Sequence, residues 1–546
     1  MRKWWQERVV YQIYPRSFQD TNGDGVGDIP GIIMRLPELK ELGVGILWLS
    51  PIYKSPGVDN GYDISDYRDI DPLFGTMADM ERLLAEAEKL DIRIIMDLVI
   101  NHTSDQHEWF QKSRDQDSRY RDYYIWKPGR RNGKPPNNWT AFFMGSVWEY
   151  DQKSGEYYLH LFHRQQPDLN YDNPLVIAEV KDIMRFWLDK GVAGFRLDVI
   201  NIIYKASFAN GKPSLIIRGL EHYKSQEGNH QILRELRREI LDKYDSFTVG
   251  ETVMVDLQEA KELCDRERGE LDMLFYFDHL EVDRRIARYI PKRFRAAKLL
   301  QVLTKWQQGL EWNAVYLENH DQPRIVSHYG DDQLHWEMSA KMLALMQFTL
   351  GGTIFLYQGQ EIGMTNFDFT DMKQLNDIES HNINTLMKRL LLPAKLRWYW
   401  IRTASRDNAR TPMQWSGAKG AGFSTASTWL GINKNHSDIN HQEQLSRPDS
   451  IHSFYRKLIA FREQNDTLKY GSFTPLYARK NVIAYRRALA DESYTVILNF
   501  SPVPRLTPFS GTVVLANTEE KTFAGKLAAY GAVMLIETNE TVKYKR

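Results

Sequence analysis

The sequence predicts an α/β protein: a (β/α)8 TIM barrel with a subdomain inserted after its third strand and a C-terminal antiparallel β-sandwich domain. Three observations predict it. From Val9 to about residue 360, eight short apolar runs alternate with segments of helical period. Residues 104–170 interrupt that alternation with many aromatic residues and little helical period. Beyond about residue 471 the pattern changes to short runs of period two separated by turn residues. The expected domains are therefore 1–103 with 171–470 for the barrel, 104–170 for the insert and 471–546 for the sandwich.

The eight runs are RVVYQIYP, VGILWLSP, IRIIMDLVINH, AGFRLDVI, FTVGE, DMLFYFD, NAVYLENHD and TIFLYQG. Between them, MADMERLLAEAEKL and NPLVIAEVKDIMRFWLDKG read as amphipathic helices. In the second, Val180, Ile183, Met184, Trp187 and Leu188 share a face, Asn173 and Pro174 suit the N-cap and first position, and Gly191 suits the stop. A doubly wound open sheet is the rival arrangement. The basic segment MKRLLLPAKLRWYWIRTASRDNAR reads as a helical extension of the eighth connection, and NVIAYRRAL, SYTVILNF and GTVVLAN as sandwich strands.

Composition narrows the partners. Across 546 residues, 71 Lys and Arg balance 71 Asp and Glu, so neither a nucleic acid nor a membrane partner is expected. The 15 Trp and 28 Tyr offer flat apolar faces suited to a sugar, with core packing as the plainer use. A single cysteine, Cys264, excludes an intramolecular disulfide and a cysteine-based zinc cluster. No signal-peptide pattern and no run of about 18 apolar residues stands out. The expectation is a cytoplasmic protein, a monomer or weak homo-oligomer, acting on a small neutral molecule.

Barrel active sites lie at the C-terminal ends of the strands. Those ends carry Asp97, Asn101 and His102 after strand three, Arg196 and Asp198 at strand four, Glu251 at strand five, and His320 with Asp321 after strand seven. In GFRLDVIN, Gly194 to Asn201, Arg196 and Asp198 alternate on one side of an apolar run, and a buried charge needs a partner or a task. Any one of these residues alone could be a helix cap or a structural ion pair. Three carboxylates, two histidines and an arginine, with no serine or cysteine nucleophile motif, make the kit for glycoside hydrolysis.

The segments DLVINH, GFRLDVIN, VGET and ENHDQPR, in that order, resemble the four signature segments of the α-amylase family of retaining glycoside hydrolases, glycoside hydrolase family 13. YQIYPRSFQDTNGDGVGDIPGI and SRDNARTPMQW extend the resemblance over nearly the whole chain, and QPDLN resembles the marker of the oligo-1,6-glucosidase, dextran glucosidase and α-glucosidase branch. The resemblance implies Asp198 as nucleophile, Glu251 as acid and base, and Asp321 as the residue gripping glucose hydroxyls. It implies a pocket of Asp59, Tyr62, His102, Phe143, Phe162, His320 and Arg410, with Tyr62 stacking and Asp59 and Arg410 closing the end. Arg196 would keep Asp198 ionised at neutral pH. Val199, after the nucleophile, marks an α-1,6 preference, although Val in a buried strand is also good packing.

The loop DTNGDGVGD places oxygen side chains at Asp20, Asn22, Asp24 and Asp28, like the start of an EF-hand, and an Asx-rich turn would look the same. By resemblance it binds a structural Ca2+, with a carbonyl from Val26 and with magnesium as a substitute. No organic cofactor is expected. The reaction so implied is retaining, exo-acting removal of terminal α-1,6-linked glucose from isomalto-oligosaccharides. An α-1,4 maltase-type glucosidase, a trehalose-6-phosphate hydrolase and a sucrose isomerase share the scaffold, and a catalytically inactive amylase-like binding protein is the distant alternative. VGETVMV, residues 204–244 and residues 366–402 depart from the branch pattern, which leaves aglycone preference the least determined property.

Overall fold

Eight parallel strands carry the fold: β1 (Val9–Ile13), β2 (Val44–Leu49), β3 (Arg93–Leu98), β4 (Gly194–Leu197), β5 (Phe247–Glu251), β6 (Met273–Phe275), β7 (Ala314–Val315) and β8 (Thr353–Tyr357). The computed structural model describes residues 2–214, 217–285 and 288–537. The chain divides into two units, one of Met1–Leu47, Leu90–Ile92 and Phe277–Arg546, the other of Trp48–Lys89 and Arg93–Tyr276. Strand order in the sheet is β6-β5-β4-β3-β2-β1-β8-β7, with β2 beginning in the first unit and ending in the second. Sequential parallel neighbours, with the last strands returning beside the first, are the pattern that helical crossovers impose.

In the second unit, register sets the chemistry. Asp97 on β3 lies level with Arg196 on β4, and Arg196 lies level with Val249 on β5. Glu251 is two residues further along β5 and so shares the face of Val249. The strands approach closely where β4 begins: a Cβ on Gly194 would sit 2.1 Å from the Phe247 carbonyl oxygen. Glycine is required there.

Helices follow the strands as their sequences dictate. Helix α1 (Ile29–Leu42) is capped by Asp28, whose side chain accepts from the Gly31 amide at 2.7 Å. Helix α2 (Met77–Lys89) buries Met80, Leu83 and Ala87. Helix α3 (Pro174–Asp189) has Asn173 as its cap and buries Val180, Ile183, Met184, Trp187 and Leu188, the face its period predicts. The basic segment near residue 390 is helical after β8, as expected, in two pieces, α4 (Ile378–Arg389) and α5 (Ala394–Ala404), with Pro393 as the N-cap of α5.

The insert contains three short antiparallel strands, Trp126–Lys127, Trp148–Asp151 and Glu156–Leu159. Ile125, Trp139, Trp148, Leu159 and Leu161 pack with Val199, Ile202 and Tyr223 in one apolar cluster. The insert thus shares its core with the chain that follows β4. Most of its aromatic excess is packing. At the C-terminus, six antiparallel strands between Ser472 and Ile536 form one sheet, with a two-stranded ribbon of Arg505–Leu506 and Lys526–Leu527. Val482, Ala484, Ile497, Phe509, Phe523, Leu527, Val533 and Leu535 form their shared core. Residues 538–546 of the expected C-terminal domain lie outside the described residues. Among the described residues, no helix is long and apolar enough to cross a membrane.

Candidate active site

The buried guanidinium of Arg196 is the hub of the second unit. Its Nη1 donates to Asp97 Oδ1 and to Asp198 Oδ1, each at 2.6 Å, and its Nη2 donates to Glu251 Oε2. The rings of Trp48 and Tyr62 lie 5.4 and 5.6 Å from it. Asp97 also accepts from Trp48 Nε1 at 3.3 Å and from the Tyr62 hydroxyl at 3.0 Å. With three donors and no exposure, Asp97 is a structural anchor. Asp198 and Glu251 are the carboxylates left for chemistry.

One cation therefore faces three carboxylates, and burial disfavours the surplus negative charge. Burial raises the Asp198 pKa well above the ordinary range, and the charges of Glu251 and Asp97 add to the rise while Arg196 opposes it. Arg196 does act toward ionising Asp198, as expected, but burial and the two neighbouring acids outweigh it.

Beside this hub, His102 Nε2 lies 3.1 Å from the Tyr62 carbonyl, and its Nδ1 lies 3.1 Å from Asn101 Nδ2. Burial lowers the His102 pKa to about 4. Gln166 Nε2 donates to Asp59 Oδ2 at 3.1 Å, which joins the QPDLN segment to Asp59. Phe162 packs 5.2 Å from the His102 ring, with Phe142 stacked on it and Phe143 meeting it edge-on. Phe143 and Phe162 are both half-buried.

Three residues of this region escaped sequence reasoning or were placed differently by it. Strand β4 ends at Leu197, so Val199 is not in the sheet; it adopts φ 39°, ψ 39° and starts a short 3-10 turn, Ile200–Ile202. A β-branched residue is strained in that left-handed conformation. The packing of Val199 against the insert holds it there. Asn201 accepts from the Val253 amide at 2.7 Å and donates to the Val253 carbonyl at 3.0 Å, fixing the chain just after Glu251. Lys205, fully buried, contacts Asp168 Oδ2 at 2.6 Å and Asn101 Oδ1 at 2.9 Å, tying the insert's end to the chain after β3. No local period marks such partners. Only the repeated Asn in DLVINH and GFRLDVIN hinted at them.

In the other unit, the surroundings of Asp321 invert that charge balance. Its Oδ1 accepts from Arg410 Nη2 at 2.6 Å and from Arg406 Nη1 at 3.4 Å, and its Oδ2 lies 3.2 Å from His320 Nε2. Burial acts to raise its pKa, but His320, Arg406 and Arg410 together outweigh it and hold Asp321 well below the ordinary range. Gln12 Nε2 lies 2.7 Å from His320 Nδ1, and Tyr14 stacks on the imidazole at 5.9 Å. Arg410 Nε donates to the His320 carbonyl at 2.9 Å. Arg406, which sequence reasoning passed over, also bonds Asp377 at 2.8 Å.

The loop before α1 is closed by its own amides. Asp20 accepts from Gly23 and Gly25, Asp24 from Val26, Asn22 from Asp24, and Asp28 from Thr21 and Gly31. Among the described residues no three Asp, Glu, His or Cys side chains gather as a metal group. A cation here would draw on Asn22 and the Val26 carbonyl beside Asp20, Asp24 and Asp28. That all-oxygen set fits a hard ion.

Residues 12–471 match the family description "alpha amylase, catalytic domain". The chain is 49% identical over 519 residues to the oligo-1,6-glucosidase of Parageobacillus thermoglucosidasius, covering 92% of each. Among solved structures, trehalose-6-phosphate hydrolase from Bacillus licheniformis superposes with a TM-score of 0.93 at 41% identity, over 98% of this chain and all of that one. Isomaltulose synthase from Klebsiella gives 0.95 at 41% identity, over 98% of this chain and 99% of that one.

Proposed function

The chain belongs to the α-amylase family of glycoside hydrolases, and on that footing we propose that it removes single glucose units from the non-reducing ends of short α-1,6-linked oligosaccharides, with retention, as a cytoplasmic enzyme. The observation that carries this reading is the sharing of one arginine by Asp97, Asp198 and Glu251. Two carboxyl groups held on one guanidinium, with Asp97 as their anchor, can serve one as nucleophile and the other as acid.

In the first step Asp198 attacks C1 of the glucosyl unit, and the departing glycosidic oxygen takes the proton held on Glu251. A glucosyl ester forms as the C1–oxygen bond breaks. Water then attacks C1, loses its proton to Glu251 and frees the Asp198 carboxylate. Arg196 draws the developing carboxylate charge without itself exchanging a proton. We assign Asp321 the grip on glucose hydroxyls, since an ionised carboxylate accepts hydroxyl donors. Asp59, Tyr62, His102, Phe143, Phe162, His320 and Arg410 we assign to the glucose pocket. The rigid, branched Val199 beside the nucleophile supports the α-1,6 preference. Glucose release from isomaltose, isomaltotriose, maltose, sucrose and trehalose 6-phosphate, measured side by side, tests the reading. The isomalto series should dominate; turnover of the phosphorylated disaccharide alone would overturn it.

We also propose a structural Ca2+ in the Asp20–Asp28 loop, supported by its five oxygen donors. A chelator should lower Tm and added Ca2+ restore it; a Tm indifferent to both would remove the ion from the account.

A further inference from the structure

The total charge of the chain is zero, yet from residue 380 to 406 it carries six Lys and Arg and no Asp or Glu. This stretch is most of the helical hairpin α4–α5. Its inner face is accounted for: Met387, Ile401 and Ala404 pack with Tyr289, Phe369 and Leu375. Three of its cations are also committed. Arg406 bonds Asp377, Arg402 lies 3.6 Å from Asp368, and Arg397 donates to the Leu392 carbonyl at the hairpin's own turn.

The tip is not accounted for. Leu390 is 63% exposed and Leu391 is 89% exposed. The turn has the two hydrogen bonds of a Schellman motif, from the Leu391 amide to the Lys388 carbonyl and from the Leu392 amide to the Met387 carbonyl. Its usual apolar contact is met by Leu392, which packs with Met387. Leu391 takes the left-handed position, φ 58°, where glycine or asparagine is favoured. Neither packing nor turn geometry asks for leucine at 390 or 391.

Lys388, Arg389 and Lys395 are exposed around this tip and form no ion pair among the described residues. Lys388 and Arg389 end α4, where positive charge suits the helix dipole, but Lys395 lies in the first turn of α5, where it does not. Helix electrostatics therefore leaves Lys395 unexplained.

We propose that this leucine-tipped basic hairpin seats the protein peripherally on an anionic lipid bilayer. The leucines enter the interface while Lys388, Arg389 and Lys395 meet the headgroups. Two adjacent leucines at the turn of a helical hairpin, exposed together, suit a yielding apolar surface rather than a pocket. A symmetric contact with a second copy would set the three cations against themselves. The balanced composition that argued against a membrane partner averages this local excess away.

Co-sedimentation of the full chain with vesicles of phosphatidylglycerol and phosphatidylcholine, against phosphatidylcholine alone, tests the proposal. Binding is expected only to the anionic vesicles and should fall with salt. Replacing Lys388, Arg389 and Lys395 together by Gln should weaken it about 100-fold, at about fivefold per charge. Leu391→Gly separates function from folding: it should raise Tm, since glycine suits that backbone, and yet weaken vesicle binding. Glucosidase activity on soluble substrate should stay unchanged in both variants. The proposal is overturned if the wild type fails to sediment with anionic vesicles at low salt, if the triple variant binds as well as the wild type, or if an acidic polypeptide is bound and vesicles are not.

Discussion

Two carboxylates, Asp198 and Asp321, sit in opposite electrostatic surroundings. Asp198 shares one guanidinium with two other acids, and its pKa is raised. Asp321 faces two guanidinium groups and an imidazole, and its pKa is lowered. Asp198 is buried and Asp321 partly exposed, yet burial acts to raise both pKa values; the count of nearby charges sets the opposite outcomes. Asp321 can therefore stay charged while it binds, whereas Asp198 must ionise against its surroundings before it attacks.

The largest test of that contrast is chemical. Asp198→Asn should lower kcat by about 10^4-fold or more with the fold intact by circular dichroism, because it removes the bond-forming oxygen. Substantial residual turnover would sink the assignment. Removing the hub is next: Arg196→Met leaves three acids without their cation and should cost about 3–5 kcal/mol of stability in denaturant unfolding. A near-neutral result would mean the cluster had already neutralised itself by protonation.

Stability then offers a comparison of sign. The folded pKa of Asp321 lies below its unfolded value of about 4, so its stabilising effect is complete above that pH and is lost as pH falls through the folded pKa. The folded pKa of Asp198 lies above its unfolded value, so its ionisation works against folding increasingly as pH rises from about 4. At neutral pH, Asp198→Asn should therefore raise Tm and Asp321→Asn lower it, each by about 1–3 kcal/mol equivalent. Shifts of the same sign would erase the distinction. The smallest effect is expected at Val199, where Val199→Ala should move the isomaltose-to-maltose ratio of kcat/KM by about tenfold toward maltose. An unchanged ratio would place selectivity in the departing segment 204–244.

Much of this arrangement was legible in the sequence, for identifiable reasons. Strands repeat with a short period, so all eight could be found, and the Asn173 cap and the buried face of α3 follow from local spacing. Asp97, Arg196, Asp198 and Glu251 could be grouped because parallel strands bring their ends together. What stayed hidden depends on partners distant in sequence. Lys205 meets Asn101 across 104 positions, and Arg406 meets Asp321 across 85. Val199 was misplaced because apolar character continues past Leu197 while the backbone leaves the sheet. Likewise, aromatic side chains in the insert advertise stacking faces, but burial shows that most of them serve packing.

The most direct test of the account is to trap the glucosyl ester. After incubation with 5-fluoro-α-glucosyl fluoride and proteolysis, mass spectrometry should find the label on the peptide containing Asp198 and nowhere else. Label on Asp321 or Glu251, or turnover with inversion and no trapped ester, would contradict it.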